Sequence, residues 1–264
     1  MIVACLKWVT HPGEPNDERF AGLSPADQSA LEFALEFAQS LGEVATAITV
    51  GPPAAVRVLR DALACGVGRA IHVVTAGSPA SDDVAGAIAR AVPDARWVWC
   101  GDYSLDRGTG SVPAYIAAHL HAQQALGAIA VRWQGNDVTA TRRLDGGRRE
   151  VLAVSAPAVI SVEGATAHLR RAGLGSLRTA TVATIEVVQS AASSNVDEVI
   201  VRPYRPRART LAQPVGTTSL ERVRALTAAG AASMARIDAV SLEPAAAAAR
   251  IVSALRQWGY LGDG

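Results

Sequence analysis

A loop of small and acidic residues, residues 101–110, joins an apolar, strand-like run to an apolar, helix-like segment. Its glycines let the backbone approach a ligand closely, and they are Gly101, Gly108 and Gly110. Asp106 can accept hydrogen bonds from a ribose, Thr109 offers a hydroxyl group, and the free N–H groups at the start of a helix suit a phosphate. The loop therefore indicates a nucleotide site, and the alternative is that Asp106 and Thr109 only cap the turn and the helix.

The common motifs of nucleotide-dependent enzymes are missing from the sequence. The phosphate-clamping pattern GxxxxGK[ST] does not occur, and Lys7 is the only lysine of the chain. The dinucleotide pattern GxGxxG fails because no third glycine follows Gly108 and Gly110. These absences argue against an NTPase and against a hydride-transferring Rossmann enzyme.

The histidines match no recognised catalytic arrangement such as GxSxG or HExxH. His72 lies inside the apolar run AIHVV, which is typical of a core or edge position. His119 and His121 are two residues apart in a helix-like segment, so their side chains point in different directions. We therefore assign no catalytic side chain.

Composition restricts the classes of protein further. Half of the 264 residues are hydrophobic, 19% are charged, and the 25 basic and 24 acidic side chains leave a net charge of +1. Such a chain can bury a large core, and it has no overall field to attract nucleic acid or an anionic membrane. The widely spaced Cys5, Cys65 and Cys100 are expected to be reduced core thiols. No signal peptide or membrane-spanning run is apparent, so we expect a cytoplasmic protein.

The elements that would position the loop follow a regular alternation. Apolar strand-like runs at 2–9, 44–50, 70–74 and 97–100 alternate with helix-like segments up to about residue 125. This alternation predicts an α/β fold: an open, mostly parallel sheet with helices on both faces. Residues 101–110 then lie at the carboxyl end of a strand, where such sheets bind ligands.

Beyond residue 127 the pattern changes to shorter apolar runs, two of them joined by Asp145-Gly146-Gly147. Such a turn predicts an antiparallel extension of the sheet. We expect residues 1–185 to form the nucleotide-binding domain and residues 186–264 to form an extended connector and a C-terminal helical arm. The arm can pack on its own domain or reach a partner.

Five short stretches together resemble the β subunit of electron transfer flavoproteins, clearly over about residues 1–180. They are Lys7-Trp8-Val9, Ser24 to Asp27 before an acidic helix, Gly51-Pro52 followed by "LRDALACGVGRA", the loop from Gly101 to Val112, and "ATRRLDGGRREVLAVSAPAVISV" at 140–162. The last is the most specific, because an Arg, an Asp-Gly-Gly hairpin, a Glu and a Pro-x-Val-Ile fall at the spacing of the family signature.

The resemblance implies an adenine nucleotide alpha hydrolase-like fold and one half of a heterodimeric electron carrier. An α subunit would hold most of the FAD, electrons would come from a dehydrogenase and leave to a downstream acceptor, and this subunit would hold a structural AMP. The cofactor-binding residues implied are Cys5, Ser24, Pro25, Ala26, Asp27, Val50, Gly101, Asp106, Arg107, Gly108, Thr109 and Gly110. Leu177, in "GLGSLRTA", stands where the family has the leucine that docks onto partner dehydrogenases.

Three departures from the family pattern leave alternatives open. Ser24 replaces an Asn, and Arg107 with Gly108 replaces a Gly-Asp pair, so the pocket could hold AMP, a second FAD or nothing. After Leu177 the usual lysine-rich run is replaced by "RTATVATIEVV", which fits a bacterial variant with its own dehydrogenase, such as the mycofactocin-associated kind. The alternative function is an adenine-nucleotide sensor module without flavin.

Overall fold

A computed structural model describes residues 1–10, 18, 21–75, 79–190, 214, 216–232 and 241–260, with only the backbone at 227–232. The proline-rich part of the predicted connector, residues 191–213, lies outside these ranges. The chain consists of two compact units, Met1–Glu198 and Val199–Gly264.

The first unit is built on a nine-stranded sheet in the order β7-β6-β5-β8-β4-β1-β2-β3-β9. The strands are β1 (Ile2–Cys5), β2 (Ala45–Gly51), β3 (Arg69–Val74), β4 (Trp97–Gly101), β5 (Gln123–Gln134), β6 (Asp137–Arg143), β7 (Arg149–Val154), β8 (Ala158–Val162) and β9 (Glu186–Gln189). All neighbours are parallel except β5 with β6 and β6 with β7. The predicted α/β fold with an antiparallel extension is confirmed.

The described ranges contain seven α-helices, five in the first unit and two in the second. They are α1 (Pro25–Ser40), α2 (Val56–Cys65), α3 (Ser81–Ala91), α4 (Val112–His119), α5 (Leu174–Val182), α6 (Ser219–Ala232) and α7 (Pro244–Gln257). Helices α1 and α2 share one hydrophobic core with the sheet, and α3 and α4 share a second core on the opposite face. None of these helices is long and apolar enough to cross a membrane.

Helix α1 illustrates how local sequence builds the first core. Ser24 caps it by accepting a hydrogen bond from the N–H of Asp27 at 3.1 Å, and Pro25 opens the first turn. Its buried Phe33 and Phe37 pack against an aromatic cluster on the sheet, which consists of Trp97, Trp99 and Trp133. The packing fixes α1 on the face of β4 and so directs its N-terminus to the carboxyl end of that strand.

The two ends of the sheet are formed by the β6–β7 hairpin and by strand β9. The turn Asp145–Gly147 joins β6 to β7, and Gly146 and Gly147 have φ of 71° and 75°, which explains the two glycines. At the other end, β9 pairs in parallel with β3. The sheet therefore continues to Gln189, four residues beyond the predicted domain end at 185.

Candidate functional site

A cleft of about 310 Å³ lies at the carboxyl ends of the central strands. Strand β1 is flanked by β2 on one side and β4 on the other, so the chain reverses direction across the sheet beside β1. Open α/β sheets bind their ligands at such a switch point. The cleft is therefore where the topology places a ligand, and the predicted loop 101–110 forms one of its walls.

Asp27 forms the floor of the cleft and connects the ends of β1 and β4. Its carboxylate accepts hydrogen bonds from the N–H of Lys7, at 3.3 Å, and from the N–H of Gly101. The side chain is buried, and this burial raises the pKa of Asp27 from 3.8 to about 7, although the hydrogen bonds from Lys7, Ser24 and Gly101 lower it. The floor of the cleft is thus a carboxyl group that titrates near neutral pH.

Cys5 and Cys100 lie beside this floor, directly opposite each other on β1 and β4. Both are buried and neither is in a disulfide. A hydrogen bond with Cys5, together with burial, raises the pKa of the Cys100 thiol. This part of the cleft therefore presents small, neutral and weakly polar groups.

The loop after β4 closes into a tight turn. The N–H of Ser104 donates to the carbonyl of Thr109 at 2.8 Å, and the N–H of Gly108 donates to the carbonyl of Ser104 at 2.8 Å. Gly108 has a φ of 65° and so suits the left-handed conformation at the tip. A Cβ on Gly110 would lie 2.0 Å from the carbonyl oxygen of Asp102, so this close approach requires glycine.

Two basic side chains tie the turn to the rest of the cleft. Lys7 donates from Nζ to Ser104 Oγ at 2.7 Å and to Asp106 Oδ1 at 2.5 Å, and Arg107 donates to the carbonyl of Pro79 at 2.7 Å. Burial raises the pKa of the Asp106 carboxyl, but the hydrogen bonds from Lys7 and Ser104 outweigh it, and the net pKa is lowered. The turn thus spans from the end of β1 to the segment before α3.

Helices α3 and α4 begin at this cleft, where Ser81 and Val112 line it. Their N-cap residues, Ala80 and Ser111, make no side-chain capping hydrogen bond in the described structure. The first N–H groups of each helix, with the positive end of its dipole, suit an anion. The arrangement can hold a phosphate at its rim and a flat, mostly apolar group inside.

Comparison with known proteins decides the family. Residues 17–192 match the family described as Electron transfer flavoprotein domain, which is most of the chain. The chain belongs to the electron transfer flavoprotein family. The expected similarity to β subunits is confirmed by curated relatives of that name.

The Electron transfer flavoprotein subunit beta of Mycobacterium tuberculosis (strain ATCC 25618 / H37Rv) is 34% identical over 152 residues, which are 54% of this chain and 57% of that protein. The protein of the same name from Thermoanaerobacterium thermosaccharolyticum is 29% identical over 143 residues, 53% of this chain and 55% of that one. Protein FixA of Azorhizobium caulinodans is 32% identical over 191 residues, 67% and 66% of the two chains. The match thus spans little more than half the length of the two beta subunits.

In this member of the family, most of the residues implied by the resemblance come together. The cleft is lined by Cys5, Ser24, Asp27, Val50, Gly101, Asp106, Arg107, Thr109 and Gly110. Pro25 and Ala26 form the first turn of α1 behind Gly101, and Gly108 is at the tip of the turn, so these three do not line it. Leu177 lies apart, on α5, with 44% of its surface exposed.

Sequence reasoning missed the side chain of Lys7 as part of the site. Its only signals were that it is the sole lysine and that it follows the first strand. Ser104 and Tyr103 were also missed, although both lie within the predicted loop and line the cleft. Among the described residues, no group of three His, Cys, Asp or Glu side chains is arranged to hold a metal ion.

Proposed function

We propose that this chain is the β subunit of a heterodimeric electron transfer flavoprotein, which takes electrons from a dehydrogenase through FAD held mainly by an α subunit and passes them to a downstream acceptor. The observation that carries the proposal is the cleft at the switch point beside β1, built from the residues that match the family motif. FAD supplies the electron chemistry when it is bound. The part played by this chain is to help bind, orient and shield the FAD.

The ligand proposed for the cleft itself is AMP. Its volume of about 310 Å³ lies at the lower end of small-molecule sites, roughly 300–1,000 Å³, and this favours a mononucleotide over a second FAD. The first turn of α4 and Thr109 are suited to the phosphate. The small side chains beside Cys5 and Val50 leave room for the adenine ring.

A second depression in the described part of the chain does not suit the pyrophosphate of FAD. It lies between α2 and α5, has a volume of about 460 Å³, and is lined by small and apolar side chains around Ser176 and Ala180, with no charged group for a pyrophosphate. We therefore propose that the α subunit supplies most of the FAD site.

The C-terminal unit is proposed to contact that partner. Helix α7 and the residues that follow it expose large apolar side chains. Ile251 exposes 60% of its full surface, Trp258 67% and Tyr260 75%. Isolated helices of this length gain most of their stability from packing against another surface. Leu177 on α5 is proposed as the contact for the dehydrogenase.

The test is to co-express the chain with its α partner, purify the complex, denature it and quantify the released nucleotides by mass spectrometry. One FAD and one AMP per heterodimer are expected. Two FAD per heterodimer would show that a second flavin occupies the cleft in place of AMP. FAD without AMP would mean that Ser24 and Arg107 have changed the pocket. No complex and no flavin would contradict the proposal and favour the nucleotide sensor.

A matched pair of variants assigns the AMP to the cleft. Gly110→Ala places a Cβ against the Asp102 carbonyl and should remove AMP while FAD is retained. Gly175→Ala meets no atom within 4 Å and should retain both nucleotides. Equal AMP contents in the two variants would place the AMP elsewhere.

A further inference from the structure

The ammonium group of Lys7 lines the cleft and is held there by side chains of the loop after β4. Four charged side chains line it in the described ranges, and they are Lys7, Asp27, Asp106 and Arg107. Asp27 is buried and bonded to two backbone N–H groups, and Arg107 bonds the carbonyl of Pro79. Lys7 instead bonds two groups of a surface turn, Ser104 and Asp106.

Lys7 contacts the loop that precedes α4, the helix proposed to bind the phosphate. Ser104, which Lys7 contacts, pairs as an isolated antiparallel bridge with Thr109. Thr109 lies three residues before Val112, where α4 begins, so the contact of Lys7 with Ser104 is made to the turn that leads into α4. In the first turn of α4, Val112 and Ala114 carry N–H groups that the N-cap side chain does not satisfy, whereas Pro113 has none.

The ion pair between Lys7 and Asp106 is exchangeable on physical grounds. Its two side chains keep 37% and 34% of their surface exposed, so water screens their attraction. An ammonium group has three donors, and Ser104 and Asp106 take two of them. A phosphate brings a larger negative charge than a carboxylate and several acceptor oxygens, so it competes well for the same ammonium group.

We propose that Lys7 is the residue through which this cleft selects ligands that carry a phosphate, and that Asp106 holds the Lys7 ammonium in place when phosphate is absent and competes with phosphate when it is present. This inference rests on the proposed nucleotide site, and it adds a specificity-determining residue to that site. Because lysine is a compact point charge on a flexible stem, it can turn from Asp106 to the ligand without moving the backbone.

The first test compares AMP with adenosine by calorimetry on the full-length protein after removal of bound nucleotide. The wild type should bind AMP about tenfold or more tightly than adenosine, since a charge-assisted hydrogen bond is involved. Lys7→Gln should lower the AMP affinity to near that of adenosine and change the adenosine affinity less than about twofold. Asp106→Asn should raise the ratio of AMP affinity to adenosine affinity above that of the wild type.

A merely structural role of Lys7 gives a different result. If Lys7 only held the turn closed, Lys7→Gln and Asp106→Asn would weaken AMP and adenosine by the same factor, and this would overturn the inference. An unchanged preference for AMP in Lys7→Gln would also overturn it, while the proposed AMP site would stand.

The second test uses Lys7 as the sole lysine, so that an amine-reactive ester labels only Lys7 and the terminal amine. AMP or inorganic pyrophosphate should slow the labelling of Lys7 but not of the terminal amine, as read by peptide mass spectrometry. Asp106→Asn should speed the labelling of Lys7 without ligand. If neither AMP nor adenosine binds, the proposed nucleotide is wrong, and protection by pyrophosphate still decides whether Lys7 contacts phosphate. If AMP binds but does not protect Lys7, the proposed role of Lys7 is refuted.

Discussion

The backbone of Gly101 lies so close to Asp27 that a Cβ built on the glycine would be 2.7 Å from Asp27 Oδ1. The same atom would lie 3.0 Å from Ala26 Cβ, so the first turn of α1 presses directly on the end of β4. This contact holds the carboxylate of Asp27 under the cleft, where the N–H of Gly101 donates to it.

Gly101→Ala should therefore lower both stability and AMP binding. The added methyl group meets backbone and a buried side chain that cannot give way, so we expect the free energy of unfolding to fall by about 1–3 kcal/mol. Urea denaturation measures this loss, with Gly175→Ala as the control, since a Cβ there meets no atom within 4 Å. Equal stabilities of the two variants would contradict the tight contact.

The titration of Asp27 predicts a pH dependence of stability. Its pKa is about 7 in the folded protein and 3.8 as the ordinary value, so the folded chain keeps a proton that the unfolded chain releases between these values. The contribution of this proton to the free energy of unfolding is fully present below about pH 4 and is lost as the pH rises through about 7. The slope in that window is at most about 1.4 kcal/mol per pH unit.

The measurement is the difference in free energy of unfolding between wild type and Asp27→Asn at several pH values from 4.5 to 8.5. The difference should fall as the pH rises to about 7 and then stay constant. Asp106→Asn is the control, because the pKa of that carboxyl is lowered and its difference should not fall in this window. A flat difference for Asp27→Asn would show that Asp27 is ionised throughout.

Breaking the ion pair between Glu32 and Arg170 should lower the free energy of unfolding more than breaking an exposed ion pair. Glu32 keeps only 7% of its side-chain surface exposed, and Arg170 donates to it from Nη2 at 2.7 Å, from Nε at 3.0 Å and from the backbone N–H at 2.8 Å. Arg170→Ala leaves a buried carboxylate without its cation, which costs about 3–5 kcal/mol.

Two further variants test this reading of the pair. Arg143→Ala removes a partner of Glu163 whose side chain is 64% exposed, and should cost about 0–1 kcal/mol. The double variant Glu32→Gln with Arg170→Ala should recover part of the loss, because no charge is stranded. Equal losses for Arg143→Ala and Arg170→Ala would contradict the role of burial.

Leu177 should affect electron transfer but not folding. Its side chain is exposed at 44% on α5, so Leu177→Ala should change the free energy of unfolding by less than about 0.5 kcal/mol. We expect a slower reduction of the flavin by the partner dehydrogenase, measured by stopped-flow absorbance. Val151→Ala, at another exposed apolar position on β7, should leave that rate unchanged.

The apolar side chains of α7 should be needed for the α subunit. Ile251→Asp or Trp258→Ala should reduce the yield of heterodimer in co-purification and leave the free energy of unfolding of the sheet unit unchanged. Arg250 is also exposed on α7, and Arg250→Ala is the control that should not reduce the yield. Deletion of residues 200–264 should abolish the pairing. A deletion variant that still pairs would show that the arm has another role.

The candidate site could be predicted from sequence where its residues are neighbours in the chain. Glycines, Asp106 and Thr109 within ten residues predicted the loop, and the stretch from Ser24 to Asp27 was expected just before a helix, where α1 begins. The contact between Lys7 and Asp106 could not be predicted in this way, because it joins residues 99 positions apart. It depends on β1 and β4 being neighbours in the sheet, which is a property of the whole packing.

The sequence by itself determined the alternation of strands and helices, the hairpin at Asp145–Gly147 and the loop 101–110, because periodicity, glycine conformation and helix capping act over a few residues. Only the tertiary structure decided that β9 pairs with β3, that Lys7 closes on Asp106 and that burial brings the pKa of Asp27 close to 7. These features arise when distant segments are packed together and water is excluded between them, and neither the pairing nor the loss of water is written in any short stretch of the chain.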